Sequence, residues 1–123
     1  MDFKLELVPI PVADVDRAKA FYAGQAGFRV DHDVVFGDSR VVQLTPPGSS
    51  CSIMVGRGVI DTAPGSVKAL HLVVADIHAA RAELLERGVD VADVVEMKAE
   101  GKPTVRYAWF SDPDGNTWTL QSF

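Results

Sequence analysis

The sequence predicts an α+β fold built from two tandem βαβββ modules, and three observations lead to this prediction. First, residues 10–18 can be laid over residues 72–80 by adding 62 to each residue number. Second, each of these segments places an aspartate in front of apolar residues at helical spacing. Third, short β-prone runs separated by turn residues follow each predicted helix. One structural unit is therefore predicted to occur twice in the chain.

The first strand is predicted to lie at the edge of its own sheet. Pro9 and Pro11 both lack a backbone N–H, and because they are two residues apart the missing donors would point to the same side. That side of the strand cannot form a complete hydrogen-bond ladder. We therefore expect it to be open to a neighbouring module or subunit.

Each module is then predicted to contain one helix. Asp14 and Asp76 occupy the N-cap positions, and Gly27 and Gly88 follow the two helices before the next strand. Apolar residues recur at three- and four-residue spacing, as a helix that buries one face requires. They are Val15, Ala18, Phe21 and Tyr22 in the first helix and Ile77, Ala80, Leu84 and Leu85 in the second.

Three further strands are predicted in each module. They cover residues 28–36, 40–45 and 51–55 in the first module and residues 89–96, 104–110 and 117–121 in the second. The segment 112–116, Asp-Pro-Asp-Gly-Asn, predicts a hairpin turn and is interpreted as a turn alone. With 123 residues and no shift in composition, the chain is expected to form one domain: module one 1–56, linker 57–66, module two 67–123.

The composition excludes several classes of protein. A hydrophobic share of 47% and a charged share of 24% indicate a soluble globular protein. No apolar run approaches the roughly 20 residues of a membrane helix, and no signal peptide is evident, so no membrane partner and a cytoplasmic location are expected. The net charge of −5 without a basic cluster argues against nucleic acid and mildly favours neutral or cationic ligands. The lone Cys51 excludes an internal disulfide.

Three segments together resemble the vicinal oxygen chelate superfamily, which includes glyoxalases, extradiol dioxygenases and bleomycin resistance proteins. They are Ile10–Tyr22, Val73–Ile77 with the later Gly88, and Phe110–Asn116. The resemblance implies that the eight strands form a cup-shaped mixed sheet around a small-molecule site. It also implies a homodimer, since relatives usually dimerise, in some cases by pairing modules across chains. Whether one chain or two complete the cup is left open by the sequence.

In metal-dependent relatives, His, Gln or Glu side chains at one early and one late strand position of each module bind a divalent ion. Counted from the aspartates and from the turn, these positions fall on Leu7, Met54, Ala69 and Thr119. None of the four supplies an imidazole nitrogen or a carboxylate oxygen, which such ions prefer. We therefore expect no metal and no other cofactor. A divalent metal held by unconventional ligands is the alternative.

Strand alternation predicts which side chains line the cup, because every second residue of a strand points to the same face. If residue 7 faces the cup, a mostly apolar pocket with aromatic walls results, as is common for small-molecule sites. The predicted ligand-binding residues are Leu7, Pro9, Gln43, Ser52, Met54, Ala69, His71, Tyr107, Trp109, Thr119 and Gln121. Tyr107 and Trp109 have two open interpretations, packing in a core or dimer interface and stacking on a planar or cationic ligand.

His71 is the one histidine predicted to face the interior, and it is the candidate catalytic acid or base. The alternative is a half-buried histidine satisfied by Gln43 or by a tyrosine hydroxyl. His32 and His78 are predicted to be solvated. The acidic residues Asp31, Asp33 and Asp38 are interpreted as a solvated strand end.

The leading hypothesis for function is a small-molecule-binding protein without the usual metal site, which sequesters an apolar or cationic antibiotic or metabolite. The alternative is a superfamily enzyme, namely a lyase, isomerase or dioxygenase. Such an enzyme would use unconventional metal ligands, or it would work without metal and use His71 as acid or base. A purely structural dimerisation domain is the third hypothesis.

Overall fold

A computed structural model describes all 123 residues of the chain and confirms the predicted α+β fold of two βαβββ modules. The first module contains β1 (Leu7–Pro9), α1 (Val15–Lys19), β2 (Arg29–Phe36), β3 (Ser39–Thr45) and β4 (Ser52–Arg57). The second contains β5 (Leu70–Val73), α2 (Ile77–Glu86), β6 (Val95–Met97), β7 (Val105–Ser111) and β8 (Thr117–Ser122). A π-helical segment, Ala20–Gln25, continues α1 without a break.

The eight strands form two four-stranded mixed sheets, ordered β1-β4-β3-β2 and β5-β8-β7-β6. In each sheet the first strand of the module runs parallel to the last, and the other pairs are antiparallel. The N–H of Ile10 donates to Met54 O at 2.8 Å. The backbone N–H groups of the even-numbered residues therefore point towards β4, and the nitrogen atoms of Pro9 and Pro11 point towards the open edge of the sheet. The prediction that the first strand is an edge strand is confirmed.

The two helices begin where the sequence predicts. The carboxylates of Asp14 and Asp76 each accept an N–H three residues later, at 3.1 Å in both cases. The apolar stripe of the first helix is buried throughout. Leu85 is 41% exposed, so its prediction as a core residue is wrong. It is rotated by about 100° from the neighbouring Leu84, which does pack on the core. Neither helix is long and apolar enough to cross a membrane.

The hydrophobic core lies on the helix side of both sheets and is continuous from one module to the other. The ring of Tyr22 lies 5.8 Å from Trp118, and the ring of Phe28 lies 5.7 Å from it. Phe21 contacts Phe110 in the same way, with ring centroids 6.4 Å apart. Trp118 is 2% exposed and lies in this core. The back of the second sheet therefore packs against the helix of the first module.

The predicted turn at residues 112–116 is present, but it does more than reverse the chain. Its first residue, Asp112, is 5% exposed and accepts the hydroxyl proton of Tyr22 at 2.7 Å. Asn116 donates from Nδ2 to Asp112 and to Pro11 O, at 2.8 Å each. The turn therefore joins the two modules through buried polar groups. Its interpretation as a turn alone was incomplete.

Candidate functional site

Each sheet has one face turned away from the helices, and we call these two surfaces the first and second cup faces. Side chains of residues that pair across neighbouring strands share a face, so the strand register assigns the members. The first cup face contains Leu7, Pro9, His32, Val34, Val41, Gln43, Ser52 and Met54. The second contains His71, Val73, Val95, Tyr107, Trp109, Thr119 and Gln121.

The register places every predicted site residue on a cup face except Ala69. This residue precedes β5 and has a φ of 59°, a left-handed conformation that breaks the alternation of an extended strand. Its N–H donates to the hydroxyl of Thr117 at 2.6 Å. The alternation of side chains that predicts Ala69 on the cup face does not hold at this position, because the backbone is not extended there.

Within one chain the two cup faces are not brought together. The side-chain contacts between the modules lie on the helix side or at the chain turns, as in the Tyr22–Asp112 and Tyr22–Trp118 pairs. No hydrogen bond and no aromatic contact joins a residue of the first cup face to a residue of the second. A single chain therefore presents the two cup faces as separate surfaces, and we call each of them a half-site.

The second cup face carries a cluster of three rings, which we call the aromatic cluster: His71, Tyr107 and Trp109. The ring of His71 meets that of Tyr107 edge-on, with centroids 6.1 Å apart at 85°. Tyr107 and Trp109 are nearly parallel, at 6.2 Å and 24°. Because Trp109 is 40% exposed, part of this cluster is open to solvent. A planar molecule can pack against the exposed part of the Trp109 ring.

Polar groups accompany the aromatic cluster. His71 Nδ1 lies 2.6 Å from Gln121 Oε1, so the partner of this histidine is neither Gln43 nor a tyrosine hydroxyl. Thr119 lies on β8 between the strands that carry His71 and Trp109, and it is 2% exposed. Its hydroxyl is buried without a hydrogen-bond partner. The second cup face thus combines an apolar surface with a few polar points.

Large apolar side chains are exposed around both half-sites. On the second cup face Val73 is 65% exposed, and Met97, on the same side of β6 as Val95, is 55% exposed. On the first, Val34 is 51% exposed, as is Phe36 two residues further along the strand. Exposed apolar residues therefore lie on the edge strands β2, β5 and β6, at the borders of the two cup faces.

The first cup face is more polar at one end. Thr45 Oγ1 lies 2.6 Å from Ser52 Oγ and donates to the carboxylate of Asp31, which also accepts from Arg29 Nε at 2.8 Å. The Thr45 hydroxyl and the Arg29 guanidinium lower the pKa of Asp31.

The acidic residues of β2 are more than a solvated strand end. Asp31 is bonded to Thr45 and Arg29, and Asp33 is ion-paired with Arg40.

His32 lies on the first cup face opposite Gln43, a position that strand alternation did not predict. A β-bulge between Val30 and His32 shifts the register and turns this side chain to the cup side. The imidazole is exposed. A bulge inserts one residue without a distinctive sequence signal here, so the sequence offered no means of finding it.

The side chains present do not fit a divalent metal. Leu7 and Met54 lie on the first cup face, Thr119 lies on the second, and Ala69 precedes β5. These groups provide one hydroxyl and one thioether, whereas zinc binds imidazole, thiolate or carboxylate groups and harder ions bind carboxylate and carbonyl oxygens. No group of three or more His, Cys, Asp or Glu side chains is placed to hold an ion.

Comparison with known proteins gives the same fold. The crystal structure of TnmS3, an antibiotic binding protein from Streptomyces sp. CB03234, is 34% identical with a TM-score of 0.81, covering 98% of this chain and 96% of that one. A glyoxalase/bleomycin resistance protein from the same strain is 35% identical with a TM-score of 0.77, covering 95% of this chain and 98% of that one.

A third solved structure, a superfamily member from Sphaerobacter thermophilus DSM 20745, is 28% identical with a TM-score of 0.80, and covers 99% of this chain and 98% of that one. No curated protein matches the chain. The family profile named Glyoxalase/Bleomycin resistance protein/Dioxygenase superfamily matches residues 4–120. With a match over nearly its whole length, this chain belongs to the Glyoxalase/Bleomycin resistance protein/Dioxygenase superfamily.

Proposed function

We propose that this protein binds and sequesters a small, largely apolar or cationic molecule, such as an antibiotic or a metabolite, without using a metal ion. The observation that carries the proposal is the partly exposed aromatic cluster of His71, Tyr107 and Trp109 on the second cup face. His71 pairs with a neutral amide and has no carboxylate partner, so nothing at the site favours acid–base chemistry over binding.

The forces at the cluster suit such a ligand. A well-placed aromatic pair contributes about 0.5–1.5 kcal/mol beyond the burial of its area. A cation over Trp109 or Tyr107 gains about 0.5–2 kcal/mol, depending on how far it is desolvated. The net charge of −5 also raises the local concentration of cations. Similarity to TnmS3, described as an antibiotic binding protein, supports the same class of ligand.

We further propose that two copies of the chain form a homodimer in which the first cup face of one copy meets the second cup face of the other. Each chain carries both half-sites but keeps them apart, and both leave exposed apolar residues that association would bury. The edge strands β1 and β5 have open sides at which the two sheets could meet. A complete site would then be formed twice, as twofold symmetry requires.

The dimer is tested by one substitution on a cup face and one matched control. Val73→Glu places a charge on the second cup face, where the side chain is 65% exposed in the single chain. Leu85→Glu makes the same change on α2, outside both cup faces, at a side chain that is 41% exposed. We expect light scattering to show a dimer for the wild type and Leu85→Glu and a monomer for Val73→Glu. A dimeric Val73→Glu protein would contradict the proposed arrangement.

The proposal that no metal takes part is tested by native mass spectrometry with elemental analysis of protein purified without added metal. We expect no stoichiometric zinc, nickel, iron or manganese. Treatment with EDTA should leave ligand affinity unchanged, because no side chains at the four family positions could have held an ion. Loss of binding after EDTA treatment, restored by one divalent metal, would refute the metal-independent function.

A further inference from the structure

We infer that His71, oriented by Gln121, is a specificity-determining hydrogen-bond acceptor for a hydroxyl or N–H group on the edge of a planar aromatic ligand. This inference rests on the proposed function, because it concerns a ligand that lies on the aromatic cluster. It adds a chemical requirement: the ligand must bring a donor, as a phenol or an aryl amine does.

The first step is the proton on the imidazole. His71 Nδ1 lies 2.6 Å from Gln121 Oε1, and an amide oxygen has no proton to give. Nδ1 must therefore be the donor of this bond. In a neutral imidazole only one nitrogen carries a proton, so Nε2 is left with its lone pair. The chain thereby fixes which ring nitrogen is available as an acceptor.

The second step is that this acceptor is free. His71 Nε2 has no hydrogen-bond partner within the chain, and the residue is exposed at the edge strand β5. Gln121 is held in turn by its position on β8, opposite Tyr107 on the neighbouring strand. A buried acceptor is costly to leave unpaired, so a ligand that covers His71 without offering a donor loses affinity.

The third step is the position of His71 relative to the stacking surface. Its ring is perpendicular to that of Tyr107, with the centroids 6.1 Å apart, whereas Tyr107 and Trp109 are nearly parallel. The imidazole therefore borders the aromatic cluster, where a substituent of a ligand packed on that cluster can reach it. A donor group on such a substituent is what His71 would recognise.

The experiment compares two probes of similar size, 2-naphthol and 2-methoxynaphthalene, of which only the first has a donor. Affinities are measured by calorimetry for the wild type, His71→Phe, Gln121→Leu and Trp109→Ala. We expect the wild type to prefer 2-naphthol about fivefold, the equivalent of ~1 kcal/mol for one neutral hydrogen bond. His71→Phe keeps a ring but no acceptor, so it should bind both probes equally, at the affinity that the wild type has for 2-methoxynaphthalene. Gln121→Leu should reduce the preference.

The outcomes separate this inference from the proposed function. Trp109→Ala should lower the affinity for both probes by the same factor. If neither probe binds the wild type, or if Trp109→Ala leaves both affinities unchanged, the proposed function fails. If both probes bind but the wild type shows no preference, or His71→Phe retains it, only the role of His71 is refuted. Nitrogen NMR of the histidine side chains supplies a readout without ligand. A proton on Nε2 of His71 rather than on Nδ1 would also overturn the inference.

Discussion

Among single residues, Tyr22 has the most constrained surroundings. It is fully buried, its hydroxyl donates to Asp112 at 2.7 Å, and it accepts from Trp118 Nε1 at 3.0 Å. Burial, and then the adjacent Asp112 carboxylate, raise the pKa of Tyr22 far above the ordinary value of about 10. The native protein therefore holds this proton under conditions in which the unfolded chain releases it.

Tyr22→Phe should lower the free energy of unfolding by about 1–3 kcal/mol at pH 7, because Asp112 loses a donor and Trp118 loses its acceptor. Urea unfolding of the two proteins measures this difference.

The raised pKa of Tyr22 also predicts that the free energy of unfolding falls at alkaline pH. The stability due to the Tyr22 proton is fully present below about pH 10 and is lost at higher pH, since only the unfolded state then releases the proton. Urea unfolding at pH 9, 10 and 11 should show a steeper decline for the wild type than for Tyr22→Phe. Equal slopes would contradict this account.

The sequence predicted Tyr22 as a core residue from helical spacing alone, and the structure confirms it. The partner of its hydroxyl could not be predicted, because Asp112 is 90 residues away and belongs to the other module. His71 shows the same limit. Strand parity placed it on the correct face, but identifying Gln121 as its partner required the register of β5 against β8.

At the scale of secondary-structure elements, ion pairs tie α1 to the first sheet. Arg40 on β3 donates twice to Asp33 on β2, at 2.9 and 3.0 Å, and once to Asp16 on α1 at 2.7 Å. Lys19, also on α1, donates to Asp33 at 2.7 Å. The bonds from Arg40, and then from Lys19, hold the pKa of Asp33 well below its usual range.

The lowered pKa of Asp33 predicts a loss of stability in acid. Its contribution is present above the unfolded value of about 3.9 and falls as the pH drops below it, because the unfolded chain takes up the proton first. Urea midpoints at pH 7, 4 and 3 should therefore fall more steeply for the wild type than for Asp33→Asn. Asp61→Asn, an exposed position in the linker, is the matched control and should follow the wild type. If the urea midpoint of Asp33→Asn fell with pH as steeply as that of the wild type, the proposed role of the Asp33 ion pairs would be refuted.

Much of the element structure could be predicted, since the strand and helix segments depend on local alternation and spacing. The predicted run at residues 89–96 is the main departure, because only Val95–Met97 forms a strand and Val91 makes an isolated bridge to Phe110. The bulge before His32 was also missed. Both depend on how a segment pairs with its neighbour, which the segment itself does not encode.

At the scale of the whole molecule, the core is shared. Its 17 buried residues come from both modules, and some of them contact each other across the two modules, as Tyr22 and Trp118 do. Neither module can bury these side chains alone, so each half separately would expose part of the apolar surface that stabilises it. This arrangement favours cooperative unfolding of the two modules.

We predict that the two modules unfold in one transition. In a Trp109→Phe variant the remaining tryptophan, Trp118, reports on the contact between modules, while circular dichroism reports on all helices and strands. The two unfolding curves should coincide, because loss of the shared core removes support from both sheets. Two separated transitions would show that the modules fold independently.

Trp118→Ala should lower the free energy of unfolding by about 3–5 kcal/mol, because it leaves a cavity in the core between the modules. Urea unfolding of this variant and the wild type measures the difference.

The core lies on one side of the sheets and the half-sites lie on the other. Selection for stable packing and selection for surface properties therefore act mainly on different residues. Side chains such as Val73 and Trp109 project away from the packed interior, so changing them does not open a cavity among the buried residues. Under the proposed function, residues that set ligand preference can therefore diverge during evolution at little risk to the packed interior. Exposed cup-face positions such as Trp109 are then good choices for a randomised library.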